Sequence, residues 1–309
     1  MFVESDFKII YGPFFPYKGD VLYNKEIIYS IVEESARVCY KSTFNNLNLN
    51  FINSLLKSKH TSVLEHAPIY ELKTNNSYNL RELIEKKYSN IYISLLKYEL
   101  SNSSKPETII SFILDTKVSL FSNWNNITGI IPFLEQYMSV YFIIDRAIAN
   151  ELVRHRKMSF SQESTRYCNY TKDKFGGITF IIPSGIQEKK QFKEYCNLCE
   201  AKYVSLIDQG YKPEDARSVL PLCTKTELIM TGKIKDWIWV FMNRAFDVVG
   251  CAHPDMKYIM RKLTDYIIPI WIKNFSKKDI EKFFINDQIL NKGIAEKDIK
   301  NKIFEIYGI

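Results

Sequence analysis

Apolar positions recur along the chain with two periods, and the changes between them mark out the elements. From Lys25 to about Lys59, Ile28, Ile31, Val32, Ala36, Val38 and Cys39 fall at helical spacing, which predicts helix with one buried face. In HTSVLEHAPIYELK (60–73) the residues alternate from Val63 onward, predicting a strand that leaves a polar turn. Residues 74–110 are rich in Asn, Ser and Lys, a helical piece is expected near LRELIEKKY, and 74–135 reads as a peripheral excursion. YMSVYFIIDRAIANELVRHR predicts a buried strand to about Ile144, then a short helix through Ala147 and Leu152.

Further along, GITFIIP reads as a strand stopped by Pro183, and an amphipathic helix follows to Gly210. KPEDARSVLP has Pro at a helix start, acids in its first turn and a second Pro to end it. CTKTELIMTG alternates as a strand. KIKDWIWVFMNRAFDVV begins a helical region that resumes through Ile267 after the Gly/Pro break in GCAHPDM, and 274–309 reads as a charged helical tail. Strands and helices mix without regular βαβ alternation. The expectation is therefore one α+β domain over 1–309, a mixed or antiparallel sheet flanked by helices.

Composition narrows the classes. Apolar residues make up 46% and charged residues 25% of 309, which is globular rather than disordered. A net charge of +7 suits anionic small ligands better than a dedicated nucleic-acid surface. The start MFVESDFKIIYGPFF has neither a basic n-region nor a long apolar h-region, and no stretch reaches the ~18 apolar residues of a membrane span. Six scattered cysteines then read as reduced thiols, with the cytoplasm as the expected location.

Candidate chemistry concentrates in RHRKMSFSQESTRYCNY (154–170). Arg154 and Arg156 are two apart, so they share a face only where the chain is extended or turning. Arginine grips phosphate or carboxylate oxygens in a fork, and Ser159, Ser161, Ser164 and Thr165 add hydroxyl donors. On spacing alone the cluster suits either an anionic ligand or a solvated basic helix end. Ser164 as a nucleophile with His155 as base lacks a Gly-x-Ser-x-Gly elbow and an acid partner. His60 and His66 stand off any His-Glu-x-x-His helix, and Cys196 and Cys199 have no second pair, so no metal site is expected. Arg217 and Arg244 interrupt apolar helical stretches, where a charge needs a counter-charge from the protein or a ligand.

RHRKMSFSQES resembles the Arg-His-Arg, seven residues, Ser signature of the flavin-dependent thymidylate synthases. SARVCY, HTSVLEHAPIYEL, ELVRHR, STRY, ARSVLP, MTGKIKDW and AHPDM are similar to other blocks of that family and follow its order over roughly 36–260. The resemblance implies reductive methylation of deoxyuridylate to thymidylate. FAD is the implied cofactor, NADPH and 5,10-methylenetetrahydrofolate the co-substrates, and the assembly a homotetramer with sites shared between subunits. It implies neither nucleic acid nor membrane as partner.

Carried over by position, Ser62, Arg154, His155, Arg156, Gln162, Lys233, Lys235 and Trp239 correspond to flavin contacts. Glu151, Leu152, Val153 and Arg154, the run Gln162, Glu163, Ser164, Thr165 and Arg166, and then Arg217 and Arg244 correspond to the nucleotide cradle. Arg244 matches the arginine at the uracil ring, the implied catalytic residue. Three stretches depart from the family pattern. Ser161-Gln162-Glu163 stands where many members have Asn-Glu, Lys233 and Lys235 where Asn and Arg are frequent, and Trp239 where a polar residue is. Two other classes fit the same residues: a basic nucleic-acid module using Arg154 to Arg166 with Tyr167 and Tyr170, and an inactive relative that keeps only the fold.

Overall fold

The computed structural model describes residues 1–11, 25–43, 48–58, 60–71, 76–79, 136–248 and 250–274. The helix expected near LRELIEKKY, most of the 74–135 excursion and the tail beyond Asn274 lie outside the described residues. The fold is α+β. An antiparallel sheet of β1 (Asp6–Tyr11), β4 (Tyr137–Asp145), β5 (Ser159–Gln162) and β6 (Lys225–Lys233) runs in the order β1-β4-β6-β5. A separate pair joins β2 (Pro68–Glu71) to β3 (Asn76–Asn79).

Period-two patterning on β4 and β6 gives the sheet two chemically different faces. Met138, Val140, Phe142 and Ile144, with Leu228 and Met230, enter the main apolar core. Over that face pack α3 (Arg146–Leu152), α6 (Ile234–Arg244) and α7 (Pro254–Asn274), contributing Ile148, Leu152, Trp237, Phe241, Met256, Met260 and Leu263. Trp237 is fully buried and donates its indole N–H to the Met138 carbonyl at 2.9 Å, so the largest core residue leaves no unsatisfied donor. The opposite face carries Ser139, Tyr141, Lys225, Glu227 and Thr231, and α1 (Lys25–Cys39) packs there through Val38 against Ile10 and Ile229.

The helical run expected over 25–59 is two helices, α1 and α2 (Leu49–Lys57). α1 ends near Lys41, which takes a left-handed conformation with φ 47° that a continuing helix does not allow. The buried Glu33 accepts from the Asn48 N–H, and the Asn48 side chain accepts from the Phe51 N–H, which starts α2. The strand expected from Val63 begins only at Pro68. Residues Thr61–His66 form a 3-10 turn that buries the consecutive Val63 and Leu64, which a strand would point to opposite faces.

GITFIIP forms no strand either. Phe180 makes single bridges to Phe2 and Thr224, and its fully buried ring helps build a second core with Tyr170, Phe175, Tyr203 and Cys223 beneath α4 (Lys189–Asp208). The short α5 (Pro213–Ala216) starts at its proline as expected.

Candidate active site

α3 ends at Leu152, and the chain turns through 153–157 before β5 begins. This turn brings Arg154 and Arg156 to the surface, and neither guanidinium makes a hydrogen bond or ion pair among the described residues. Met158 closes the turn by packing over Gly232, where any Cβ would collide with its thioether. Gly232 therefore brings β6 and the signature segment into direct contact.

His155 faces inward from the same turn. Its Nε2 lies 3.1 Å from Arg244 Nε, so the imidazole accepts from the guanidinium. Burial, assisted by the Arg244 charge, pushes its pKa down to about 4, which keeps it the neutral acceptor this geometry needs. Glu151, one turn earlier on α3, accepts from Arg244 Nη1 at 3.2 Å. Arg244 at the C-terminal end of α6 is thus held on two sides, and its Nη2 makes no hydrogen bond among the described residues. Of their neighbours in the implied nucleotide cradle, Leu152 is buried in the main core and Val153 is exposed.

After β5 the chain turns again. Gln162 donates to Thr226 Oγ1 at 3.2 Å. Glu163 points inward: its carboxylate accepts from the Tyr170 hydroxyl at 2.7 Å and meets Lys225 at 3.2 Å and Lys41 at 3.6 Å. Lys225 also binds Glu227 at 2.5 Å. Burial opposes ionisation of Glu227, but Lys225, the Tyr141 hydroxyl and Lys41 outweigh it and set its pKa below the ordinary value. The same burial and the neighbouring carboxylates push both Tyr141 and Tyr170 upward, so they serve as hydrogen-bond donors. Both backbone groups of Glu163 are engaged, its N–H with Glu227 and its carbonyl with Arg146. Glu163 is a buried anchor for the loop that follows.

That loop carries Ser164, Thr165 and Arg166. Ser164 Oγ accepts from the Arg166 N–H at 3.3 Å, while His155 is engaged with Arg244. The hydroxyl and imidazole of the considered nucleophile pair thus have different partners. Arg166 binds Glu214 at 2.8 Å on the surface, which holds the Glu214 carboxyl below its ordinary range. Arg217 donates to the Glu214 carbonyl at 3.1 Å and to Thr165 Oγ1 at 3.4 Å. The helical stretch that Arg217 was read as interrupting does not form, and Arg217 is exposed. α5 is only one turn long and ends before it, so the apolar run around Arg217 has no single buried face.

Ser62 is exposed on the 3-10 turn. Lys233 and Lys235 lie where β6 passes into α6, and Trp239 packs partly buried against the main core. His60 and His66 are both satisfied, His60 by the Tyr40 hydroxyl at 3.1 Å. Cys196 and Cys199 lie on α4, with Cys196 turned toward Cys223. Three supporting residues gave little sequence signal: Lys41, Lys225 and Glu214. A cue existed for Glu214 as a first-turn acid, and for Lys225 as a charge on an alternating strand.

The model of the thymidylate synthase complementing protein family matches residues 116–286, more than half of the chain. The flavin-dependent thymidylate synthase of Geobacter sulfurreducens is 36% identical over 99 residues, 32% of this chain and 43% of that protein. Its counterpart in Synechocystis is 28% identical over 199 residues, 56% of this chain and 92% of that protein. The match to the Pyrococcus furiosus enzyme is 34% identical and spans 38% of its length. A UMP/dUMP methylase from Streptomyces cacaoi, solved with 5-Br dUMP, aligns with a TM-score of 0.38 at 19% identity, over 48% of this chain and 76% of that one. The extent of the family match carries the assignment: the chain belongs to the thymidylate synthase complementing protein family.

Proposed function

We propose that the protein is a flavin-dependent thymidylate synthase, a methyltransferase converting deoxyuridylate to thymidylate. FAD is its cofactor, with NADPH and 5,10-methylenetetrahydrofolate as co-substrates. The observation that carries this is the set of guanidiniums around the signature turn. Arg154 and Arg156 lack internal partners among the described residues, and Arg244 is held by Glu151 and His155 with Nη2 to spare. Such a set suits a pyrophosphate, a 5′-phosphate and a uracil carbonyl together.

The donor set fits FAD: Arg154 and Arg156 would hold its pyrophosphate, with Ser62, His155, Gln162, Lys233, Lys235 and Trp239 around it. When bound, reduced flavin supplies the hydride. Ser164, Thr165, Arg166 and Arg217 would bind the nucleotide phosphate. Arg166 would then exchange the Glu214 carboxylate for phosphate oxygens, an even trade of one anion for another. Arg244, fixed by Glu151 and neutral His155, would donate to the uracil carbonyl beside N3 and favour the electron-rich form of the ring. Gln162 is neutral, so it orients by hydrogen bonding and moves no proton. No serine nucleophile is required, which agrees with the separate partners of Ser164 and His155. We further propose that residues 1–309 act as one catalytic domain, assembling in the cytoplasm as a homotetramer with shared sites.

The test is flavin binding by the full chain. The wild-type protein should bind FAD with the absorbance of an oxidised flavoprotein, and Arg156→Ala should weaken that binding on the order of tenfold. A wild-type protein that takes up no FAD contradicts the proposal.

A further inference from the structure

The proposed ligands do not account for the buried His66. His66 ends the turn that carries Ser62 and has no exposed surface. Its Nδ1 lies 2.7 Å from Thr231 Oγ1 on β6, and its Nε2 lies 3.0 Å from Ser161 Oγ on β5. Thr231 in turn donates to Ser139 Oγ on β4 at 2.7 Å. The ring also bonds the Phe160 backbone of β5. Hydrogen bonds therefore link Ser161, His66, Thr231 and Ser139 across the turn and three strands.

Packing alone does not call for this arrangement. Val63 and Leu64 already bury the turn, and an apolar residue in place of His66 would fill space without bonding either strand. A buried imidazole with both nitrogens bonded defines one register, because a slip of either strand would leave a buried polar atom unsatisfied. Burial also pushes its pKa down to about 4, so at neutral pH the ring stays neutral, donating through one nitrogen and accepting through the other.

We infer that His66 is a positioning residue, coupling the Ser62 turn to the signature strand through Ser161 so that the flavin and nucleotide subsites keep one relative geometry. This rests on the proposed function, in which Ser62 touches flavin and Gln162, next to Ser161, touches both ligands.

The test uses the full chain with three substitutions, His66→Asn, His66→Gln and Ser161→Ala. An Asn amide can still bond Thr231 but does not reach Ser161, whereas a Gln amide does. FAD Kd, deoxyuridylate KM, kcat and Tm are measured for each. We expect H66N and S161A each to raise FAD Kd and nucleotide KM on the order of tenfold, with H66Q close to wild type. The H66N/S161A double variant should be no worse than the poorer single one. A fall in Tm with FAD Kd and KM unchanged, or losses that multiply in the double variant, would overturn the inference. If H66N does not fold, S161A and H66Q decide it by the same readouts. A wild-type protein that binds no FAD overturns this inference and the proposed function together. FAD binding by wild type and all variants alike overturns this inference alone.

Discussion

Arg244 shows how single residues acquire a role from their neighbours. On an isolated helix its charge would sit at a favourable C-terminal end and nothing more. Here Glu151 and a neutral His155 fix two of its nitrogens. Arg244→Ala is therefore expected to abolish thymidylate formation while FAD remains bound, as read by turnover and flavin absorbance. Wild-type turnover in that variant would remove Arg244 from the mechanism. Ser164 sits at the start of a tight loop and accepts a backbone N–H, so Ser164→Ala should raise nucleotide KM yet retain measurable kcat. Full loss of turnover with nucleotide still bound would point to covalent catalysis instead.

At the scale of elements, the sheet separates two kinds of stabilisation. On the apolar face, Trp237 of α6 fills the centre of the core. Trp237→Ala should destabilise by about 3–5 kcal/mol, measured by urea unfolding. A loss under about 1 kcal/mol would mean that α6 does not seal that face. On the polar face, Lys225 neutralises the buried Glu163 from β6. Lys225→Met leaves that carboxylate with one counter-charge fewer and should cost about 3 kcal/mol, more than a surface lysine would.

The elements were unevenly legible from sequence. β4, α3, α4, β6 and the first part of α6 follow from long, clean periodicity. The turn at Thr61–His66 was hidden because Val63 and Leu64 imitate the start of a strand. β5 was missed because Ser159–Gln162 carries one aromatic among polar residues and is defined by pairing with β6. Contacts distant in sequence, such as Glu163 with Lys41 and Lys225, leave no local pattern. The arginines and hydroxyls of the signature were visible, whereas the inward turn of Glu163 and the exposure of Arg217 depend on tertiary packing.

For the whole molecule, burial of neutral histidines ties stability to pH. His66 and His155 have folded pKa values near 4 against an ordinary 6.5, burial being the main cause. The unfolded chain therefore binds more protons between those values, and stability falls as pH drops from about 6.5 toward 4. His66 alone accounts for at most about 3 kcal/mol across that window. The urea midpoint should be lower at pH 5 than at pH 7; equal midpoints would mean that neither ring is buried neutral.

The most direct measurement follows tritium from deoxyuridylate labelled at C5 of the ring, with the full chain, FAD, NADPH and 5,10-methylenetetrahydrofolate. Methylation at that carbon must release the label to water. The account predicts release that requires all four components and disappears in Arg244→Ala. A flavin-bound protein that releases no tritium in the complete mixture would contradict it.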